Sequence, residues 1–313
     1  MGTSISTINP NFRQKYKRKP VLILLEKNPA IKLLLVEGDS DDFYGRFLNQ
    51  SVTLFPVTDS KEYGECYFSP NIQRLAKEYV KELVKRALKR ESENTAIKYG
   101  KCYGLIDKDY DCIREDLESK YNNRLECTDY NDLETTLIYL DYDNIESKFI
   151  KDFNSDNDSF NILRTSIDYA SQIGKLRRYR EDKGSLLKNV KINFKKKEED
   201  SDGYFSFLEN DNFNIEKFIA DIGKPNAQKL INAINQYKGN NLLYCRGHDI
   251  FDFITSFYKK KNKVRKEYKK YSVGDNKVLD MRKHYEAQME SYFNEEKLKE
   301  TNIYTFISMI NNS

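Results

Sequence analysis

The segment IKLLLVEGDSDD, residues 31–42, decides the predicted fold of this chain. Its first six residues form a short, almost unbroken apolar run that ends at Glu37. A run of this length without polar alternation is typical of a strand buried on both faces, as in a parallel sheet. A glycine then allows a turn, and Asp39 is a suitable N-cap for a helix that continues through residues 43–48. The segment therefore predicts a strand, a turn and a helix.

The same succession of apolar strand and helix continues for the next hundred residues or so. Apolar runs at 52–57, 103–106 and 125–128 predict three more strands. A long amphipathic helix is predicted after Pro70, and another helix at Leu133–Leu140. Strands that alternate with helices indicate an α/β fold with a mostly parallel sheet flanked by helices.

Three regions of different composition are predicted along the chain. Residues 1–28 are mostly polar and basic, and we expect them to form an N-terminal arm. Residues 29–145 hold the strand and helix pattern and form the α/β domain. Beyond this point the strand signals fade, so residues 146–313 are expected to form a mainly helical C-terminal region.

Composition argues against several classes of protein. Basic and acidic residues number 53 and 49, so the net charge of +4 does not by itself indicate a nucleic-acid partner. The five cysteines form no CxxC pair and there are only two histidines, which predicts a reducing compartment, no disulfide framework and no zinc site.

Neither a signal peptide nor an apolar run of about 18 residues is found, so we expect a cytoplasmic protein with no membrane contact. The GxxxxGK[ST] pattern of ATP-binding loops is absent, so any ATP hydrolysis would come from a partner.

Acidic residues follow three of the four predicted strands. They are Glu37 after the first strand, Asp107, Asp109 and Asp111 after the third, and Asp129, Asp132 and Glu134 after the fourth. Because the carboxyl ends of parallel strands line one edge of a sheet, we expect these side chains to converge there. Neighbouring carboxylates repel one another unless a cation lies between them, and oxygen ligands favour Mg²⁺ or Mn²⁺. The pattern therefore predicts a divalent-metal site at which phosphate would be a further ligand.

The motif at residues 107–111 is also compatible with a solvated turn or a calcium loop. An isolated DxDxD is commonly a turn exposed to water. Counted from Asp107, acids at positions 1, 3, 5, 9 and 12 also resemble an EF-hand calcium loop. However, Cys112 stands where the sharp turn needs glycine, and a strand instead of a helix precedes Asp107, so calcium is the less favoured ion.

Four segments carry a family resemblance. LLLVEGDSDDFYG at 33–45, together with GLIDKDYD at 104–111, resembles the Toprim domain of topoisomerases, primases and overcoming-lysogenization-defect (OLD) nucleases. TDYNDLETTLI at 128–138 and CRGHDIFDFI at 245–254 resemble one bacterial branch of Toprim proteins. In that branch the Toprim protein is often encoded beside an ABC-type ATPase, in anti-phage defence pairs of the PARIS type. The resemblance makes residues 29–145 a Toprim-like catalytic domain.

The resemblance also implies roles for individual residues. The matched metal ligands are Glu37, Asp41, Asp107, Asp109, Asp132 and Glu134. Among them, Glu37 would be a ligand or general acid/base, and Asp107 and Asp109 would form the catalytic DxD pair. The last two acids would serve a second metal, while Asp111 is either a ligand or a solvated neighbour. Lys61 would be the catalytic lysine near the phosphate, although its context, Asp-Ser-Lys, departs from the glycine-rich one of the family.

Basic segments of the C-terminal half are candidates for gripping a nucleic-acid backbone. The cluster KLRRYR contributes Lys175, Arg177, Arg178 and Arg180 around a tyrosine. A second segment, 259–270, carries eight lysines or arginines. Such clusters bind phosphate, although basic helical faces are also commonly just solvated. His248 precedes an apolar helix, and a helix-start role with Asp249 as the cap is favoured over a phosphate or metal contact.

These features together predict a Mg²⁺-dependent (or Mn²⁺-dependent) endonuclease that cleaves RNA, such as tRNA, or DNA. The family context implies a toxic effector of an anti-phage system, restrained by an ABC-type ATPase partner. Two alternatives from different classes stay open: a non-catalytic nucleic-acid-binding or scaffolding module with the Toprim fold, and a topoisomerase- or primase-like enzyme. The number of metals, the choice between DNA and RNA, and the formation of a homodimer also stay open.

Overall fold

The chain divides into two compact units. The computed structural model describes residues 21–57, 76–93, 97–108, 114–153, 161–182, 204, 207–209, 212–221, 227–261 and 277–313. The first unit comprises residues up to 108, 112–129 and 298–313, and the second comprises 109–111 and 130–297. The main chain thus passes from the first unit to the second after residue 129 and returns to the first at residue 298, while the predicted domain boundary near residue 145 stays a prediction.

A parallel sheet forms the centre of the first unit. Its strands are β1 (Lys32–Val36), β2 (Val52–Pro56), β3 (Lys101–Ile106) and β4 (Leu125–Cys127). They are arranged in the order β2-β1-β3-β4 with every pairing parallel, which confirms the predicted α/β class. Val36 pairs with Leu105, so β1 and β3 end at nearly the same level. The two acidic segments that follow these strands therefore leave the sheet at the same edge.

Helices cover the sheet of the first unit. They include α1 (Val21–Lys27), a 3-10 helix (Asp39–Phe47), α2 (Ala76–Glu93) and α3 (Arg114–Tyr121). The predicted N-terminal arm, residues 1–28, is wrong for its last part, because Val21, Leu22, Leu24 and Leu25 of α1 are buried in the core. Burial of these apolar side chains favours a packed helix over an extended arm. Residues 1–20 lie outside the described residues.

Close packing of α2 on the sheet depends on Gly104 in β3. A Cβ atom added there would lie 2.5 Å from Leu125 Cδ1 and 2.7 Å from Val80 Cγ1. Val80 and Val84 are fully buried on the face of α2 that covers the strand. The glycine therefore lets the helix approach the strand more closely than any larger residue would.

The last helix of the chain, α11 (Asn302–Asn312), returns to the sheet of the first unit. The Lys32 ammonium donates to the Ile310 carbonyl oxygen at 3.1 Å, and the Tyr103 hydroxyl donates to Ser313 Oγ at 2.8 Å. These bonds join β1 and β3 to a segment more than two hundred residues away, which a local sequence pattern does not reveal.

The second unit is mainly helical, as predicted for the C-terminal region. Its described helices are α4 (Leu133–Leu140), α5 (Tyr142–Phe153), α6 (Ile162–Asp182), α7 (Ile215–Asp221), α8 (Ala227–Ile234), α9 (Gly247–Lys261) and α10 (Lys277–Tyr292). Two short antiparallel strands, β5 (Leu208–Glu209) and β6 (Asn212–Phe213), form a hairpin. Helices α6 and α9 pack against each other, and Phe253 of α9 stacks on Tyr204 with ring centroids 4.2 Å apart. No helix in the described ranges combines the length and the apolar composition needed to cross a membrane.

Candidate functional site

The ends of β1 and β3 bring two of the predicted acids together. The backbone N–H of Asp107 donates to Glu37 Oε1 at 2.8 Å. Both residues are half-buried, so they lie at the margin of the core. We call this pair, Glu37 and Asp107, the carboxylate edge. The backbone of Asp107 thus contacts the Glu37 side chain although seventy positions separate the two residues. Convergence of the two carboxylates and their role as metal ligands stay predictions.

Two lysines and a threonine hold the turn that follows β3. The Lys108 N–H donates to Thr128 Oγ1 at 2.8 Å, and Lys77 of α2 donates from Nζ to the Lys108 carbonyl oxygen at 3.3 Å. Lys77 is only 4% exposed, so its positive charge lies inside the unit, beside the turn. Sequence reasoning missed this residue. A signal was present, because Lys77 shares one helical face with Val80 and Val84, where lysine is uncommon.

Carboxylates such as those of Glu37 and Asp107 are of the ligand type that a hard divalent cation accepts, and a magnesium site at this edge stays a prediction. Mg²⁺ is commonly held by one or two protein carboxylates, with water and phosphate as its other ligands. The remaining predicted members of this site are not all described: Lys61, Asp109 and Asp111 lie outside the described residues. Asp41 lies in the 3-10 helix, and its side chain is outside the described part.

Asp132 caps α4 in the second unit. Its Oδ1 accepts hydrogen bonds from the Thr135 N–H at 2.9 Å and the Thr135 hydroxyl at 2.7 Å, and its Oδ2 accepts one from the Gly247 N–H at 2.7 Å. Burial raises the pKa of this carboxyl above its ordinary value, while the same donors act in the opposite direction. Protein donors thus engage both carboxylate oxygens and give Asp132 a structural role. Its assignment as a metal ligand stays a prediction.

Glu134 meets two residues that the sequence did not group with it. One donor atom each from Glu134, His248 and Glu286 lies within 4.8 Å of the others. We call these three residues the Glu-His-Glu group. Glu134 is buried in the first turn of α4, Glu286 is half-buried in α10, and His248 is exposed in the first turn of α9. The sequence predicted Glu134 as a ligand, but no spacing pattern connects it with positions 248 and 286.

A buried ion pair lies within the basic cluster that was predicted to bind nucleic acid. Arg177 pairs with Asp249 through two hydrogen bonds, Nη1 to Oδ2 and Nη2 to Oδ1, the latter 3.0 Å long. The Tyr204 hydroxyl donates to the same Oδ1 at 2.6 Å. Although burial acts in the opposite direction, the Arg177 guanidinium holds the pKa of the Asp249 carboxyl below its ordinary value. Arg177 is therefore not the solvent-facing phosphate contact that the sequence predicts, and Asp249 is an ion-pair partner, not a helix cap.

The other members of the basic cluster have different surroundings. Lys175 is half-buried, and its Nζ donates to Asn241 Oδ1 at 3.2 Å and lies 5.3 Å from the centroid of the Tyr244 ring. Burial lowers the pKa of Lys175. Arg178 is half-buried, whereas the side chain of Arg180 and most of the basic segment 259–270 lie outside the described residues. Nucleic-acid binding by Lys175, Arg178 and Arg180 stays a prediction.

Comparison with protein-family models, with curated proteins and with solved structures found no match to this chain. The residues and their geometry are therefore the basis for a functional assignment.

Proposed function

We propose that this chain is a metal-dependent endonuclease of the Toprim type, with Glu37 and Asp107 at its catalytic centre and Asp109 as a further ligand implied by the resemblance. The observation that carries the proposal is the 2.8 Å hydrogen bond from the Asp107 N–H to Glu37 Oε1 at the carboxyl ends of adjacent parallel strands. Ligand sites of open parallel sheets commonly form at that edge. The resemblance of both flanking segments to Toprim motifs supports the same choice.

The residues at the carboxylate edge have distinct tasks in the proposed reaction. Glu37 and Asp107 would supply oxygen ligands for Mg²⁺ or Mn²⁺, an ion that polarises the phosphodiester and lowers the pKa of bound water. The hydrogen bond from the Asp107 N–H restrains the Glu37 carboxylate, which would serve either as a ligand of the ion or as the general base that accepts a proton from the attacking water. The nearby ammonium of Lys77 would favour an anionic substrate at this edge.

The proposed substrate is nucleic acid of the cytoplasm, either RNA such as tRNA or DNA. An ABC-type ATPase partner would restrain the nuclease until infection. This regulatory part rests on the resemblance to Toprim effectors encoded beside such ATPases. Sequencing of RNA and DNA ends from cells that express the chain, with and without the gene encoded beside it during phage challenge, would identify the substrate and test the restraint.

Glu37→Gln and Asp107→Asn test the catalytic proposal. Purified full-length protein is incubated with Mg²⁺ or Mn²⁺ and with supercoiled plasmid, single-stranded DNA or tRNA. The parent is expected to cleave at least one substrate and to stop when a chelator is added. The cleavage rate of each variant should be at least about 100-fold lower than that of the parent, because a metal ligand is lost in both variants and the candidate general base is also lost in Glu37→Gln.

Glu126→Gln is the matched control for these variants. Glu126 lies in β4 of the same sheet, and its Oε1 accepts a hydrogen bond from the Cys127 N–H, so its loss should leave the cleavage rate unchanged. Unchanged cleavage by folded Glu37→Gln protein would rule out this catalytic centre. Binding without cleavage by the parent would favour the non-catalytic module, and relaxation of the plasmid with both strands intact would favour a topoisomerase-like enzyme.

A further inference from the structure

Three helices of the second unit bring together side chains of types that can bind a metal ion. Glu134 comes from α4, His248 from α9 and Glu286 from α10, and one donor atom of each lies within 4.8 Å of the other two. Two ligands of a tetrahedral ion, each bound at about 2.0–2.2 Å, are roughly 3.3–3.6 Å apart. The three donor atoms all lie within 4.8 Å of one another, so rotations of the side chains would bring them to this separation.

We propose that Glu134, His248 and Glu286 hold a divalent first-row transition-metal ion, with zinc as the best match, in contrast to the absence of a zinc site that the cysteine and histidine pattern of the sequence predicts. This inference does not depend on the proposed nuclease activity of the carboxylate edge. The choice of ion follows from the donors: an imidazole nitrogen suits zinc and its neighbours, whereas magnesium and calcium take oxygen ligands. Two carboxylates and a neutral imidazole also balance the charge of a divalent cation.

The backbone around the Glu-His-Glu group is built closely around the Glu134 side chain. A Cβ atom added to Gly247 would lie 2.3 Å from Glu134 Cβ and 3.0 Å from Glu134 Oε2. A residue with a side chain therefore does not fit at position 247 unless Glu134 moves. Because His248 is the next residue, this close approach fixes the start of α9 relative to the carboxylate. The absence of a side chain at Gly247 thus allows Glu134 and His248 to lie close together.

Asp132 stabilises the same arrangement through hydrogen bonds to both helix starts. Its Oδ2 accepts a hydrogen bond from the Gly247 N–H at 2.7 Å, and its Oδ1 caps α4, the helix that carries Glu134. The first turns of α4 and α9 are thus connected through one buried carboxylate. Outer-shell groups of this kind commonly orient the ligands of metal sites. Asp132 is accordingly a positioning residue for the Glu-His-Glu group.

Burial of the three ligands differs in a way that suits an accessible site. Glu134 is buried at 5% exposure, Glu286 is half-buried and His248 is exposed. The exposed histidine leaves an entry path for the ion, and water would fill the remaining coordination positions, as in zinc sites with three protein ligands.

Cobalt titration tests the inference, since Co²⁺ is a coloured substitute for zinc. Full-length protein is stripped with a chelator, dialysed and titrated with Co²⁺ in excess Mg²⁺, which saturates sites that lack imidazole. The expected result is one Co²⁺ per chain with visible absorption, displaced by Zn²⁺ and not by further Mg²⁺. His248→Ala and Glu286→Gln should each weaken Co²⁺ binding about 100-fold or more, beyond the loss typical of an outer-shell change.

His284→Ala is the matched control. It removes the other histidine of the chain, which lies in α10 two residues before Glu286 and is not a member of the group. It should bind Co²⁺ as the parent does. Circular dichroism confirms that the variants are folded, which is expected for His248→Ala because the side chain is exposed.

Two results would overturn the inference: Co²⁺ affinity unchanged in both His248→Ala and Glu286→Gln, or a loss in His284→Ala as large as that in His248→Ala. The outcome is separable from that of the nuclease proposal. Glu37→Gln should slow cleavage at least about 100-fold and leave the Co²⁺ absorption intact. Failure of either proposal is therefore visible while the other is retained.

Discussion

Replacement of Arg177 by methionine should destabilise the second unit by about 3 kcal/mol. The side chains of Arg177 and Asp249 are each 5% exposed, so the variant leaves a carboxylate in the core without its cation. Loss of one partner of a buried ion pair typically costs about 3–5 kcal/mol. The Tyr204 hydroxyl still donates to Asp249 Oδ1 at 2.6 Å, which places the expected value at the lower end of this range. A domain is stable by only about 5–15 kcal/mol, so the loss should be evident.

Urea unfolding monitored by circular dichroism measures this effect. Arg178→Met is the matched control, because Arg178 follows directly in the same helix but is half-buried, and its loss should cost less than about 1 kcal/mol. The double variant Arg177→Met with Asp249→Asn should recover part of the stability, since it removes the buried charge. RNA affinity of the same proteins is measured at two salt concentrations, and Arg177→Met should leave it unchanged.

A destabilisation below about 1 kcal/mol for Arg177→Met, combined with weaker RNA binding, would refute this reasoning. The guanidinium would then act at the surface, as the sequence predicts, and the buried pair with Asp249 would not exist in solution.

Four further outcomes are expected. Gly104→Ala should lower the free energy of unfolding by roughly 1–3 kcal/mol because its Cβ would overlap the packed neighbours of β3, whereas Gly45→Ala, whose Cβ would meet its nearest atom at 3.6 Å, should be nearly neutral in urea unfolding. Burial raises the pKa of the Cys102 thiol to about 12, so iodoacetamide at pH 8 should spare this residue in the native protein and label it after unfolding, as followed by peptide mass spectrometry. The stability that comes from keeping this thiol neutral is complete below its ordinary pKa of 9.0 and is lost as the pH rises toward 12, so the urea midpoint should fall over that interval. Asp132→Ala should cost about 1–2 kcal/mol from the lost cap alone in the same urea assay, and a cost below about 0.5 kcal/mol would contradict the capping role.

Much of the first unit was predictable because its signals are local. The apolar runs around β1 and β3 predicted the strands to within two residues of their ends, and the α/β class followed from their alternation with helices. The strand order β2-β1-β3-β4 was not predictable, because it depends on which strands pair across long stretches of chain. The same is true of α11, whose return to the sheet depends on contacts that no periodicity records.

The candidate sites differ in how many of their contacts could be predicted from the sequence. Glu37 and Asp107 were expected to lie at one edge because both follow strands of one parallel sheet, and a 2.8 Å hydrogen bond joins the Asp107 N–H to the Glu37 carboxylate, while convergence of the two carboxylates stays a prediction. The prediction that Arg177 contacts nucleic acid was wrong because a run of basic residues does not show which side of the helix faces the core. The direction of a side chain is a property of packing, and here the guanidinium pairs in the core with Asp249, whose carboxylate also accepts a hydrogen bond from the Tyr204 hydroxyl.

The sequence by itself determined the strands, their acidic ends and the mainly helical character of the C-terminal region, because apolar periodicity and turn residues act over a few positions. Only the tertiary structure decided that Lys77 lies beside the turn after β3, and that Glu134, His248 and Glu286 converge. These relations depend on how separate helices pack, and packing is governed by the fit of whole faces against one another, which neighbouring letters do not specify.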